Sequence, residues 1–427
     1  MPHLPTLLLQ IGIILIVARA VGWLFRRIHQ PQVIGEMVAG ILLGPSLLGW
    51  AWPQASATLF PLESLGFLNA LSQVGLLLFM FQVGVKLDPH ILLSKKRAAI
   101  ITSQVSIAIP FLLGVLVAFY FYPRLSDTRV AFTHFALFLG IAMSITAFPV
   151  LARILTERNL MQSKVGAMAI ACAAVDDVTA WCILAGIVLL VRAAGSPASP
   201  WLMLLSLAVY LVFMLLVARR ALRKLEAIFR ARSEITQDLL ALILLLVLLS
   251  SWITEEIGIH AIFGAFLIGA LMPKDPRFGK AIAEKLEDVT VVLFLPLFFA
   301  FTGLRTSIGL LNSGEMWFYC GIVILIATAG KFGGATLSAR ATGMSWREAG
   351  ALGIMMNTRG LMELAVLNIG LDIGVISPAL FTIMVIMALV TTLITSPLLE
   401  WIYPMRLQRQ EQAEMNQGEQ YELLTTR

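Results

Sequence analysis

Asp176 and Asp177 stand side by side inside an apolar run that extends from 165 to 191. Eleven residues of that run precede Asp176, about 16 Å of helix, which puts both carboxyls near the middle of a membrane-length segment. An Asp at the centre of a spanning helix is unfavourable by roughly 2.5–3.5 kcal/mol, so two in succession require water, a cation or a basic partner. Carboxylate oxygens are hard ligands that bind protons and hard cations alike. The pair is therefore read as an ion or proton site. Consecutive residues point about 100° apart around a helix, so only one of the two can face a bound ion squarely.

Other ionisable groups fall at comparable depth. Lys331 lies well inside the apolar run 316–337 and can neutralise one Asp. Arg359 and Glu363 are four residues apart, on one helix face, and are read as a structural ion pair near the site. Glu36 sits near one end of its apolar run, where it either lines an entrance or snorkels to the interface.

Two polar interruptions would bring such groups together. Ser144-Ile-Thr-Ala-Phe-Pro149 breaks one apolar run, because Pro149 removes a backbone donor and clashes with the preceding turn. Asn357-Thr-Arg-Gly360 breaks another. Unwound segments crossing at mid-membrane would aim opposed half-helix ends at a shared cavity. The alternative is two unrelated kinks, since Pro and Gly are frequent in membrane helices.

The rest of the chain is membrane-like as well. Of its 427 residues 59% are hydrophobic and 13% charged, and the mean hydropathy is +0.88, outside the soluble globular class. Apolar runs of near-spanning length fall at 5–24, 33–48, 66–85, 98–120, 133–154, 165–191, 202–218, 239–257, 261–272, 289–304, 316–337, 349–369 and 378–402, about thirteen in all. An all-α polytopic membrane protein is expected. The net charge of +6 does not point to nucleic acid, because Lys and Arg gather in alternate loops, about twenty on one side against four on the other. That bias places the N-terminus outside and the C-terminus in the cytoplasm. The N-terminus, 1–11, has no charged n-region and no small-residue cleavage site, and reads as a retained first span. Cys172, Cys182 and Cys320 lie in apolar stretches and are read as small packing residues with no disulfide.

The basic stretch 219–232 divides the spans into two groups of about six. With the odd connecting span at 202–218, the second group (239–402) is inverted relative to the first (5–191), and the broken span is the fifth of each. Inverted repeats with paired broken helices are a design of secondary transporters. The transmembrane domain is then 1–404, with 405–427 a short cytoplasmic tail.

These residues also carry a resemblance. Thr146-Ala-Phe-Pro-Val-Leu-Ala-Arg153, Ala174-Val-Asp-Asp-Val-Thr-Ala-Trp-Cys182, Gly264-Ala-Phe-Leu-Ile-Gly-Ala270 and Asn357-Thr-Arg-Gly-Leu-Met-Glu-Leu-Ala-Val-Leu-Asn-Ile-Gly370 resemble the monovalent cation:proton antiporter-2 family. The last stretch is most similar to the CHX-type cation/proton exchangers of plants, fungi and bacteria, and the likeness runs from about 5 to 404. The resemblance implies the sodium/proton antiporter fold, with a core domain of crossed broken helices moving against a dimerisation domain. It implies Na+/H+ or K+/H+ exchange in a bacterial inner membrane. It also implies that Asp177 is the essential cation- and proton-binding carboxylate, with Asp176 its partner, Thr146 and Ser144 in the unwound segment beside the ion, and Lys331 the basic residue paired with the aspartates. Members with Asn at the first Asp are considered electroneutral, and those with the Asp-Asp pair and the Lys tend to be electrogenic; this chain has both features.

Several relatives carry a large cytosolic domain after the last span; the tail after Pro404 is too short for one, and no nucleotide-binding Gly-rich loop is present. No cofactor is expected besides the transported Na+ or K+ and H+, and regulation is expected from pH acting on the site itself. The resemblance also implies a homodimer, for which the first span and 202–218 are candidate interface elements. Two rival classes fit the sequence less well. An intramembrane aspartyl protease needs two carboxyls converging within about 3 Å, which neighbours on one helix do not do. A cation channel calls for a filter ring of carbonyls or carboxylates, which no loop here resembles.

Overall fold

The computed structural model describes residues 4–404, apart from 29, 87–95, 128, 159, 162, 196–199, 233 and 274. Every regular element among the described residues is helical. Among the described residues, eleven helices are long and apolar enough to cross a membrane. Ala261–Leu271 is a shorter apolar helix, and a thirteenth pass is assembled from two halves, Trp346–Met356 and Leu361–Asp372. This is the number of passes read from the sequence. The 405–427 tail lies outside the described residues.

The two interrupted spans form the centre. The first runs Phe132–Ser144 and resumes at Phe148–Glu157, and 78% of its most apolar window is buried. At the other extreme, the windows in Leu4–Arg27 and Trp201–Arg230 are only 22% and 17% buried, so these spans make up an apolar rim. Burial therefore grades from the rim to the crossing. That is the reverse of what an all-round apolar composition suggests, and it follows from where the polar interruptions must be satisfied.

Two charged stretches that read as loops are helices. The Arg219–Arg232 helix continues the seventh span through a five-residue π-helical segment, Met214–Ala218. Pro276–Val289 leads through a second π-helical segment, Thr290–Phe294, into Leu295–Leu304. Both stretches hide an amphipathic period: Leu222, Leu225 and Phe229 on one, and Phe278, Ile282 and Leu286 on the other, are buried. They pack on each other through the Phe229 and Phe278 rings, 5.2 Å apart.

The Gly264–Ala270 motif has a packing role. A Cβ on Gly264 would lie 2.6 Å from Ser251 N, and one on Gly269 3.0 Å from Val85 N, so the short helix is clamped between Gln237–Ile257 and Leu62–Lys86. Cys172 and Cys320 are buried as expected of small packing residues, but Cys182 is exposed. Its apolar surroundings are those of a surface that faces outward, which composition alone does not distinguish from a core.

Candidate functional site at the crossing of two broken helices

The first break is the extended segment Ile145-Thr146-Ala147, with Pro149 in the first turn of the helix that follows. Pro149 blocks helix continuation through Ile145, four residues back, yet costs nothing where it sits, because a first-turn N–H has no intrahelical partner. The second break is Asn357 to Gly360. The two segments touch directly. Ala147 N–H donates to Thr358 O at 2.9 Å, and Thr146 Oγ1 donates to Met356 O at 2.9 Å. Gly360 permits the approach, since a Cβ there would come within 2.7 Å of Val150 Cγ2.

Three of the four half-helix ends at the crossing meet a charge of opposite sign, and the fourth, at Met356, is met by the Thr146 hydroxyl. At the C-terminus of Phe132–Ser144, the Arg359 guanidinium donates to Ala142 O at 3.0 Å and Met143 O at 2.6 Å, and Lys331 Nζ donates to Ser144 O. These are the last carbonyls of a helix, where cations are favoured. At the N-terminus of the continuing helix, the Phe148 amide faces the Asp177 carboxylate. Glu363 lies in the first turn of Leu361–Asp372, where an anion is favoured. Arg359 and Glu363 are themselves paired at 3.2 Å with both side chains fully buried.

The aspartates divide their roles. Asp176 Oδ2 lies 2.9 Å from Lys331 Nζ and accepts the Thr146 N–H at 3.0 Å. Asp176 Oδ1 and both oxygens of Asp177 are sealed from solvent with no hydrogen bond among the described residues. Asp177 thus presents two buried oxygens with no side-chain partner, faced only by the Phe148 amide, the strongest demand for a proton or cation in the crossing.

A cavity of about 350 Å³ approaches from the side where Lys86, Arg153 and Glu287 lie, and ends against Phe148 and Pro149. Its mouth is spanned by the Lys86–Glu287 ion pair at 3.1 Å, about half exposed. At the opposite ends of the same spans Arg305 pairs with Asp372 at 2.7 Å and donates to Asn368 Oδ1 at 3.0 Å. Asn368 in turn donates to Thr302 Oγ1 at 2.8 Å. One end is open and the other latched.

Of the residues singled out in the sequence, Asp176, Asp177, Thr146, Ser144, Lys331, Arg359 and Glu363 converge on the crossing. Ser144 contributes through its carbonyl, because its hydroxyl turns back to Ile141 O at 2.9 Å. Glu36 is neither at an entrance nor snorkelling. It is 4% exposed and accepts from Gln32 Nε2 at 2.8 Å, because the short helix bearing it packs inward along its whole length. Lys86, Arg153 and Glu287 occupy the mouth instead, and sequence reading missed them. Lys86 and Glu287 stand at the ends of apolar stretches, where a charge carries no signal of its own.

Comparison with known proteins places this architecture. The sequence model described as "Sodium/hydrogen exchanger, transmembrane" matches residues 12–402. The chain belongs to the sodium/hydrogen exchanger family. As a member it is 46% identical to the Na(+)/H(+) antiporter NhaS4 of Synechocystis over 93% of this chain and 98% of that one. It is 40% identical to Cation/H(+) antiporter 17 of Arabidopsis thaliana, over 94% of this chain and 48% of the relative. To the K(+)/H(+) antiporter 1 of Saccharomyces cerevisiae it is 34% identical, over 93% and 46%. It thus spans about half the length of the plant and yeast relatives. Among solved structures, the sodium proton antiporter MjNhaP1 of Methanocaldococcus jannaschii superposes with a TM-score of 0.67 at 15% identity, covering 94% of this chain and 98% of that one. This likeness bears on the fold alone, and the fold is that of the sodium/proton antiporters.

Proposed function

We propose that the chain is a secondary-active antiporter that exchanges Na+ or K+ for protons by alternating access. The observation that carries this reading is Asp177: two carboxylate oxygens with no side-chain partner, buried at the crossing, and faced by the amide of Phe148, which lines the inner end of an open cavity. A proton or a monovalent cation can each satisfy them, and only one at a time. The Asp176 oxygen that Lys331 leaves free and Thr146 are the further ligands. The three relatives compared above are named antiporters, and the same role is assigned here.

The loop charges put the open end in the cytoplasm, with the N-terminus outside, in a bacterial plasma membrane. In that orientation the conformation faces inward, and the Arg305–Asp372 pair is the outer latch. Repeats 5–191 and 239–402 supply one broken span each, and 202–218 connects them. The exposed rim of the first span and of 202–218 is assigned to lipid and to a homodimer contact. Exchange is electrogenic if an entering cation releases Lys331 from its proton as well as Asp177.

Proteoliposomes carrying an internal pH dye test the reading. Addition of Na+ or K+ outside should move protons in the opposite direction, and an imposed membrane potential should change the rate. Cation flux with no coupled proton movement would mean a channel instead.

A further inference from the structure

The wall of the cavity opposite the broken span is made by two helices, Leu62–Lys86 and the stretch from Pro276 to Phe294. They are joined by two rungs. The outer rung is Lys86–Glu287, 3.1 Å and exposed. The inner rung is Gln82 Nε2 to Thr290 Oγ1, 2.8 Å and buried. Gln82 and Lys86 are four residues apart and Glu287 and Thr290 three apart, so each pair shares a helix face, and the rungs are about 6 Å apart along the way inward.

The hydrogen bonding fixes which way the Gln82 amide points. The single Thr290 hydroxyl proton is given to Leu286 O at 2.7 Å, so Thr290 Oγ1 can only accept from Gln82. The NH2 group is therefore turned to the wall and the amide oxygen away from it. That oxygen accepts no bond among the described residues, is not among the sealed polar atoms, and belongs to a residue that lines the cavity together with Phe148 and Pro149. At the mouth, Glu287 is already matched by Lys86. The first uncommitted oxygen on that wall inward of the mouth is thus a neutral amide.

We infer that Gln82 Oε1 is a relay ligand for the transported cation, a neutral oxygen that replaces part of its water shell between the mouth and Asp177. A neutral dipole suits a waypoint, because it offsets dehydration without binding tightly enough to stall release. The Thr290 rung holds the oxygen in place. The inference rests on the antiport reading and adds a binding step to it.

The test compares Gln82→Met, which keeps size and loses the oxygen, with Gln82→Glu, which adds charge, in proteoliposomes with Na+ and K+ titrated at fixed pH. Gln82→Met should raise the cation KM by about tenfold or more with kcat largely kept, since a polar contact to a charged group is lost. Gln82→Glu should keep the cation KM at or below that of the unsubstituted protein and slow turnover. Thermal melting in detergent establishes that each variant is folded. A folded Gln82→Met with unchanged cation KM would overturn the inference, as would a Gln82→Glu whose KM and kcat are both unaltered. Antiport reading and relay fail separately: the first if the unsubstituted protein moves no protons with any cation, the second if it does and the variants match it.

Discussion

Lys331 Nζ lies 2.9 Å from Asp176 Oδ2, while Asp177, the next residue, has no hydrogen bond on either oxygen. The two carboxylates are therefore unequal before any ion arrives. One is tied into the framework and the other has no side-chain partner.

Substitution should separate them. Asp176→Asn strands a fully buried Lys331, and loss of one member of a buried pair costs about 3–5 kcal/mol. Asp177→Asn removes no partner and should leave stability equal or higher while abolishing cation-driven proton movement. Thermal unfolding in detergent beside vesicle transport checks both, and full exchange by Asp177→Asn would refute its assignment.

Removing both members of the buried pair should restore part of what one removal costs. Asp176→Asn combined with Lys331→Met is expected to melt above Asp176→Asn alone, with a coupling of about 1–3 kcal/mol in a double-mutant cycle. Additive losses would mean that the pair is not a unit.

Arg359→Lys keeps the charge but not the planar fork that reaches Ala142 O, Met143 O and Glu363 together. Two buried carbonyls compete for one ammonium, and a loss of about 2–4 kcal/mol is expected. Because Arg359 fixes the crossing rather than touching the ion, cation preference should be unchanged in whatever fraction folds. A shift in Na+ against K+ selectivity would place Arg359 in the ion shell.

Competition for Asp177 has a definite sign. A proton must leave before a cation binds, so lowering the pH should raise the apparent cation KM, by about tenfold per pH unit below the carboxyl's own pKa if one proton is displaced. At saturating cation the rate should recover. The check is KM measured over three or more pH values; a KM independent of pH would argue for separate sites.

How much was legible in the sequence follows from what burial costs. Asp176, Asp177, Lys331, Arg359 and Glu363 were visible because a charge in an apolar run is expensive and has to be used. The breaks were visible through Pro149 and through the polar run ending at Gly360. What stayed hidden was direction. Nothing in the order of residues told which aspartate Lys331 would choose, or that Arg359 would reach back across the crossing to cap another helix. Glu36 looked like an entrance because depth was judged by distance along its span, whereas its helix is buried on almost every face. The charged stretches at 219–232 and 276–289 looked like loops because their buried residues are spaced by helical turns among many charges.

The opposed charges at three of the helix ends act as an interlock. Asp176 with Lys331 and Arg359 with Glu363 cancel in pairs, so while Lys331 keeps its proton the crossing is balanced when Asp177 holds a proton and balanced again when it holds a monovalent cation. It is out of balance only when Asp177 is ionised and empty, and carrying that unmatched charge through a dry interior is the most costly passage available to it. An unloaded carrier would be held back by its own electrostatics, so one gradient could not drain without driving the other.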